Sequence, residues 1–193
     1  MRMRVEHEFI LGGQKSGKSR RAEQRAADWL AEAPAMRRAV LIATAQAHDE
    51  EMQERIVRHQ ADRARRVPAM RTVEEPVELA RAIVTQSSPD TLVVVDCLTL
   101  WLTNLLMPLR CETAQPVTRT PAAHAAMLLM ALREARGPVV LVGNEIGLGV
   151  IPLGRETRAF VDALGRMNQD VAAACDRVTL MAAGLPLTLK APA

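Results

Sequence analysis

The chain has 193 residues, 49% of them apolar and 24% charged, with a formal net charge of +3; this fits one folded α/β domain and excludes an intrinsically disordered chain. Two Phe, two Trp and no Tyr leave few platforms on which single-stranded nucleic acid could stack, so no nucleic-acid partner is expected. The mild positive charge instead suits an anionic small molecule.

The opening MRMRVEHEFILGG is charged, and its apolar run is too short for a signal peptide. Residues 7–11 (HEFIL) are predicted to form a strand ending at Gly12-Gly13. An Ala/Arg-rich helix is expected from Ser19 to Glu32, stopped before Pro34. A second strand is predicted at 38–44 (RAVLIAT), and a helix from Asp49 to about Ala61 that places Met52, Ile56 and His59 on one face. ARRVPAMRT is expected to be irregular, with the next helix opening at Glu75-Pro76 and running to about Thr85.

TLVVVD (91–96) reads as a central strand followed by a helix through LWLTNLL. With Asp96 and Asn104 inside it, this stretch is a buried strand and helix and not a membrane span. Residues 111–120 are polar and are expected to form a mobile loop. A helix over Pro121–Ala135, a strand at 138–143 and a Gly-rich loop, NEIGLGVIPLG, follow. The last elements are a long helix over Arg155–Cys175, with Phe160, Leu164, Met167 and Val171 on one stripe, and two closing strands in a hairpin. The expected fold class is α/β: a mostly parallel sheet flanked by helices, of the P-loop NTPase (RecA-like) kind, in one domain over 1–193 with a C-terminal antiparallel hairpin. Cys97, Cys111 and Cys175 have no close metal-ligand spacing and read as reduced thiols of a cytoplasmic protein.

The strongest chemical signal is GGQKSGKS. It comprises Gly12, Gly13, Gln14, Lys15, Ser16, Gly17, Lys18 and Ser19, and it matches G-x-x-x-x-G-K-[ST] between a predicted strand and a predicted helix. Glycines there let N–H groups converge on phosphate oxygens at a positive helix terminus. Lys18 is expected on the β/γ-phosphates and Ser19 on Mg²⁺. Asp96, at the end of an apolar strand, is the expected second Mg²⁺-orienting group; an N-cap role is compatible with it. Thr44 and Gln46 follow the second strand at the rim where open α/β sheets bind ligands, although polar residues there also cap helices. The arginine-rich ERIVRHQADRARR (54–66) reads by composition as a solvated face with Glu51–Arg55 and Glu54–Arg58 pairs.

Taken together, GGQKSGKSRRAE, IATAQAHDEEMQERIVRHQADR, RTVEEP, VVVDCLTLWLTNLL, NEIGLGVIP and GRMNQDVAAACDRV resemble, in order, the bifunctional adenosylcobinamide kinase / adenosylcobinamide-phosphate guanylyltransferase family of cobalamin biosynthesis. The resemblance implies two reactions. ATP or another nucleoside triphosphate phosphorylates adenosylcobinamide, and GMP then passes from GTP to that phosphate through a guanylyl-histidine. It implies His59 as that histidine, with Thr44, Ala45 and Gln46, then Gln60, Ala61, Asp62 and Arg63, then Glu74 and Asp96 around the guanine nucleotide. It also implies a trimer. Either Arg63 or Arg66 corresponds to the family's arginine, and Met70 and Val161 stand where the family usually has Trp and Arg. Those two departures motivate an alternative, a P-loop small-molecule kinase or nucleotide hydrolase without guanylyl transfer. A non-enzymatic nucleotide- or nucleic-acid-binding module is the third reading.

Overall fold

The computed structural model describes residues 5–47, 49–108 and 120–192. In chain order the elements are β1 (Glu8–Gly12), α1 (Lys18–Glu32), β2 (Arg38–Ala43), α2 (Glu50–Arg66), β3 (Met70–Glu74), α3 (Leu79–Gln86) and β4 (Thr91–Asp96). They continue with α4 (Leu98–Leu106), α5 (Pro121–Glu134), β5 (Val139–Asn144), α6 (Arg155–Ala174), β6 (Arg177–Ala182) and β7 (Leu185–Lys190). The strands make one sheet in the order β3-β2-β4-β5-β1-β6-β7, parallel throughout except for the antiparallel β6–β7 pair. This is the expected mostly parallel α/β sheet with its closing hairpin. β4 is interior, as its unbroken apolar run requires.

Period-two alternation sorts the strand side chains onto two faces. On one face Phe9, Leu11, Val93, Val95 and Leu141 pack with Trp101, Leu128, Leu132, Leu164 and Met167 from α4, α5 and α6. On the other, Ile10, Leu41, Val94, Val140 and Val142 meet Ala22 and Ala26 of α1. Leu164, Met167 and Val171 are buried and Phe160 is packed against them, which is the stripe read from the sequence.

Three boundaries differ from expectation. α2 continues through Arg66, well past Ala61. Its last turn has no apolar residue larger than Ala64, but Asp62 pairs with Arg65 and Arg66 along the helix, whereas the expected Glu51–Arg55 and Glu54–Arg58 pairs do not form among the described residues. Met70–Glu74, read as part of an irregular link and its neighbour, is an edge strand paired on one side to β2. α3 starts at Leu79, because the Glu75 carboxylate first accepts from the N–H groups of Val77 and Glu78 (3.0 and 2.9 Å) and turns the chain there. Cys111 and the 111–119 part of the expected mobile loop lie outside the described residues. No described helix is long and apolar enough to cross a membrane.

Candidate active site

The register fixes where the site lies. Gly12 stands opposite Asn144, and Ala43 stands opposite both Asp96 and Glu74, so the C-terminal ends of five parallel strands share one edge. A cleft of about 820 Å³ opens along that edge, lined by residues of the phosphate loop, the ends of β2, β4 and β5, and α2.

The loop between β1 and α1 is shaped by its glycines. Gly17 is left-handed at φ 101°, a conformation that disfavours any side chain. A Cβ on Gly12 would sit 2.5 Å from both the Met181 carbonyl and Ser16 Oγ, so β1 and β6 could not close around it. Main chain braces the loop: Glu145 N–H donates to Gly12 O and Gly184 N–H to Ser16 O, each at 3.1 Å. Lys18 Nζ donates to Gly13 O at 2.6 Å. Burial lowers the Lys18 pKa below its ordinary value, opposed by the nearby Asp96 carboxylate.

Asp96 and Cys97 are held against the end of β2. Thr44 Oγ1 accepts from Cys97 N (2.9 Å) and donates to Cys97 O (2.7 Å), while Thr44 N donates to Asp96 O at 3.2 Å. Asn104 Nδ2 donates to Thr44 O (2.8 Å) and Pro76 O (3.0 Å), tying the segment before α3 to the same point. Cys97 lines the cleft, but burial pushes its thiol up to about 12, so it stays protonated and is no nucleophile at neutral pH.

α2 also lines the cleft. Asp49 caps it, accepting from Met52 N at 2.7 Å. Met52, Ile56 and His59 all line the cleft, so the face predicted from their spacing is the face presented. A smaller recess of about 380 Å³, lined by Gln60, Arg63, Met70, Thr72 and Glu74 among others, lies between α2 and β3 and shares Gln60, Arg63 and Glu74 with the larger cleft.

Of the residues singled out in the sequence, Gln14, Lys15, Ser16, Gly17, Lys18 and Ser19 line the cleft from the loop side. Ala45, Gln46, Glu74 and Asp96 line it from the strand ends, and His59, Gln60, Asp62 and Arg63 from α2. Thr44 does not: it is fully buried, and its hydroxyl is used in the clamp on Cys97. Gly12, Gly13 and Ala61 are not in the lining, and the two glycines act through their backbone. Among the lining residues without a role in the sequence reading are Arg20, Gln53 and Asn144. Asn144 ends the apolar run VVLVGN, the same signal that singled out Asp96, and its carbonyl is held by the buried Asn168 side chain at 3.1 Å. Arg66, one of the two candidates for the family's arginine, reaches the cleft because α2 runs on for a further turn. Among the described residues no group of three or more His, Cys, Asp or Glu side chains could hold a metal by itself.

Against known proteins, residues 8–189 match the family model described as cobinamide kinase / cobinamide phosphate guanyltransferase. The chain belongs to that family. It is 46% identical to the bifunctional adenosylcobalamin biosynthesis protein CobP of Pseudomonas aeruginosa, with 95% of this chain and 96% of that protein covered. It is 36% identical to the CobU protein of the same description from Salmonella typhimurium, with 94% and 98% covered, and 34% identical to that of Escherichia coli, again with 94% and 98% covered. The family match extends from β1 to β7 and so includes the elements that line the cleft.

Proposed function

We propose that this cleft carries two phosphoryl chemistries in succession on an adenosylcobinamide substrate. A nucleoside triphosphate first phosphorylates the substrate hydroxyl, and GMP from GTP is then transferred to that phosphate through His59. The observation that carries the reading is that a phosphate-loop sequence and an exposed imidazole line one cleft, in a chain of the kinase/guanyltransferase family.

In the first reaction the loop N–H groups and Lys18 bear the charge of the transferring phosphoryl group, and catalysis is positioning plus electrostatics. Ser19 and Asp96 supply a hydroxyl and a carboxylate at one end of the cleft, a hard-oxygen pair that suits Mg²⁺ completed by phosphate oxygens and water. When bound, the ion neutralises phosphate charge. Lys18 must leave Gly13 O to reach the phosphate, exchanging one oxygen acceptor for a charged one.

In the second reaction an imidazole nitrogen of His59 attacks the α-phosphorus of GTP. The N–P bond forms, the bond to pyrophosphate breaks, and the imidazole gives up its remaining ring proton to solvent. A phosphate oxygen of the corrinoid phosphate then attacks the phosphorus, and the P–N bond breaks as the ring takes a proton back from solvent, restoring the imidazole and forming the GDP-linked product. Arg55, Arg58 and Arg63 line the same wall as His59 and are placed to stabilise pyrophosphate as it leaves. Gln46, Gln60 and Glu74 offer amide and carboxylate partners for the nucleotide.

The test is incubation with α-labelled GTP and Mg²⁺. Acid-labile, alkali-stable label stays on the wild-type protein and is absent from His59→Ala. Label retained by His59→Ala overturns the assignment, and a wild-type protein that phosphorylates adenosylcobinamide but never forms the GDP-linked product is a kinase alone.

A further inference from the structure

Helix α2 carries His59 yet has no buried side chain of its own. Only Met52, Arg55, Ile56, Asp62 and Arg63 of it are even partly buried, so packing positions the helix weakly and contacts at its ends carry more of the placement. Beyond its C-terminus Val67 and Met70 enter the core. In its last turn Arg66 Nη1 lies 2.7 Å from Glu23 Oε2 of α1, and Arg66 Nη2 lies 3.6 Å from Asp62 Oδ2. The Glu23 side chain is 7% exposed and that of Arg66 42%, so one partner is anchored in the fold and the other comes down from the rim. Among the described residues Arg66 is the partner of the Glu23 carboxylate.

The placement is specific. Glu23 sits on the helix that begins at Lys18, so its position is rigidly tied to the phosphate loop. Arg66 lies seven residues after His59, a spacing within about 20° of two full turns and about 10 Å along the axis. The two side chains therefore share a face, and both line the cleft. Pulling Arg66 onto α1 turns that face, with the imidazole on it, toward the phosphate loop.

We propose that Glu23 is a positioning residue for guanylyl transfer: by holding Arg66 it fixes the rotation and height of α2 above the phosphate loop, and with them the reach of His59 to the α-phosphorus. This rests on the guanylyl-histidine reading. Glu23 does not line the cleft; in the proposed reactions Lys18 and the loop bear the phosphoryl charge and His59 of α2 serves only guanylyl transfer, so the two reactions respond differently to its loss.

The experiment compares wild type, His59→Ala, Glu23→Gln and Arg66→Lys in single-turnover labelling by α-labelled GTP, and measures transfer from γ-labelled ATP to adenosylcobinamide separately. Glu23→Gln keeps the side-chain volume. Its maximum labelling rate falls about tenfold, the scale of a small misplacement of a reacting group, while phosphorylation changes less than about twofold. Arg66→Lys keeps the charge but loses the fork on a half-exposed side chain; it lowers labelling as well, and added to Glu23→Gln it lowers it no further. Equal loss of both activities in Glu23→Gln, unchanged labelling in either single variant, or additive losses in the double variant overturns the proposal. Absence of label from wild type, or its persistence in His59→Ala, overturns the histidine reading first and takes this proposal with it; that result is visible before any Glu23 variant is compared.

Discussion

Replacing Thr44 by Val keeps the shape of a fully buried side chain and removes only its hydroxyl. That hydroxyl accepts from Cys97 N at 2.9 Å and donates to Cys97 O at 2.7 Å. The Cys97 carbonyl would keep the Trp101 N–H at 3.1 Å, but among the described residues its own N–H has no second acceptor. A buried donor left alone costs about 1–3 kcal/mol. Taking about 2 kcal/mol, Thr44→Val should lower the melting temperature by roughly 4–8 °C for a chain of this size. Thr44→Ser keeps the hydroxyl and loses one methyl group, for about 1 kcal/mol. Urea titrations should therefore rank wild type above Ser and Ser above Val, with the midpoint moving and the slope constant. Val as stable as wild type, or Ser worse than Val, would refute the clamp. Nucleotide affinity of Thr44→Ser should match that of wild type; a several-fold loss there would place Thr44 on the ligand after all.

Three further outcomes are expected. His7 is buried, its Nδ1 accepts from Val139 N at 3.2 Å, and burial lowers its pKa below the ordinary 6.5. The unfolded chain therefore binds the proton first, so stability should fall as pH drops below about 6.5, and His7→Asn should flatten that slope in pH-dependent denaturation. Lys18→Met should fold normally and lower phosphorylation of adenosylcobinamide by about 10²–10³-fold in steady-state kinetics, as removal of a phosphate-directed cation requires. The buried Glu8 carboxylate meets Arg25 Nε at 2.8 Å and accepts from Thr179 Oγ1 at 2.8 Å. Because the Arg25 side chain is 34% exposed, Arg25→Ala should cost about 1–3 kcal/mol, and adding Glu8→Gln should recover part of it in a double-mutant cycle.

The sheet was legible where the chain is apolar and the loop where it is glycine-rich. TLVVVD, RAVLIA and VVLVGN could only be interior strands, and GGQKSGKS between a strand and a helix leaves little freedom. Legibility failed where stability comes from partners distant in sequence. MRTVE has almost no apolar signal because it is an edge strand, paired once and largely exposed. The last turn of α2 is all charge and small residues, and what holds it includes Glu23, 43 positions away. Thr44 illustrates the opposite error. A polar residue at the rim of a sheet invites a ligand role, but its hydroxyl is consumed by Cys97, 53 positions away, which no local pattern could reveal. That His59 shares a face with Met52 and Ile56 was legible, since helical periodicity decides which side chains share a face, but its candidate role came from the family resemblance and not from spacing.

A loop made of glycines would ordinarily be soft, and softness lowers affinity because a ligand must first order the chain. Here Glu145 N–H holds Gly12 O, Gly184 N–H holds Ser16 O, and Ser16 N–H closes back on Gly13 O at 3.3 Å. The conformational entropy of the loop has thus already been surrendered during folding, to main-chain donors from the ends of β5 and the β6–β7 hairpin. In the proposed reactions, phosphate binding would then have less loop backbone to order, and Lys18 is the side chain that would change partner. The hairpin that looks like an appendage at the edge of the sheet thus bears on any ligand the loop holds, since Gly184 fixes Ser16 in advance.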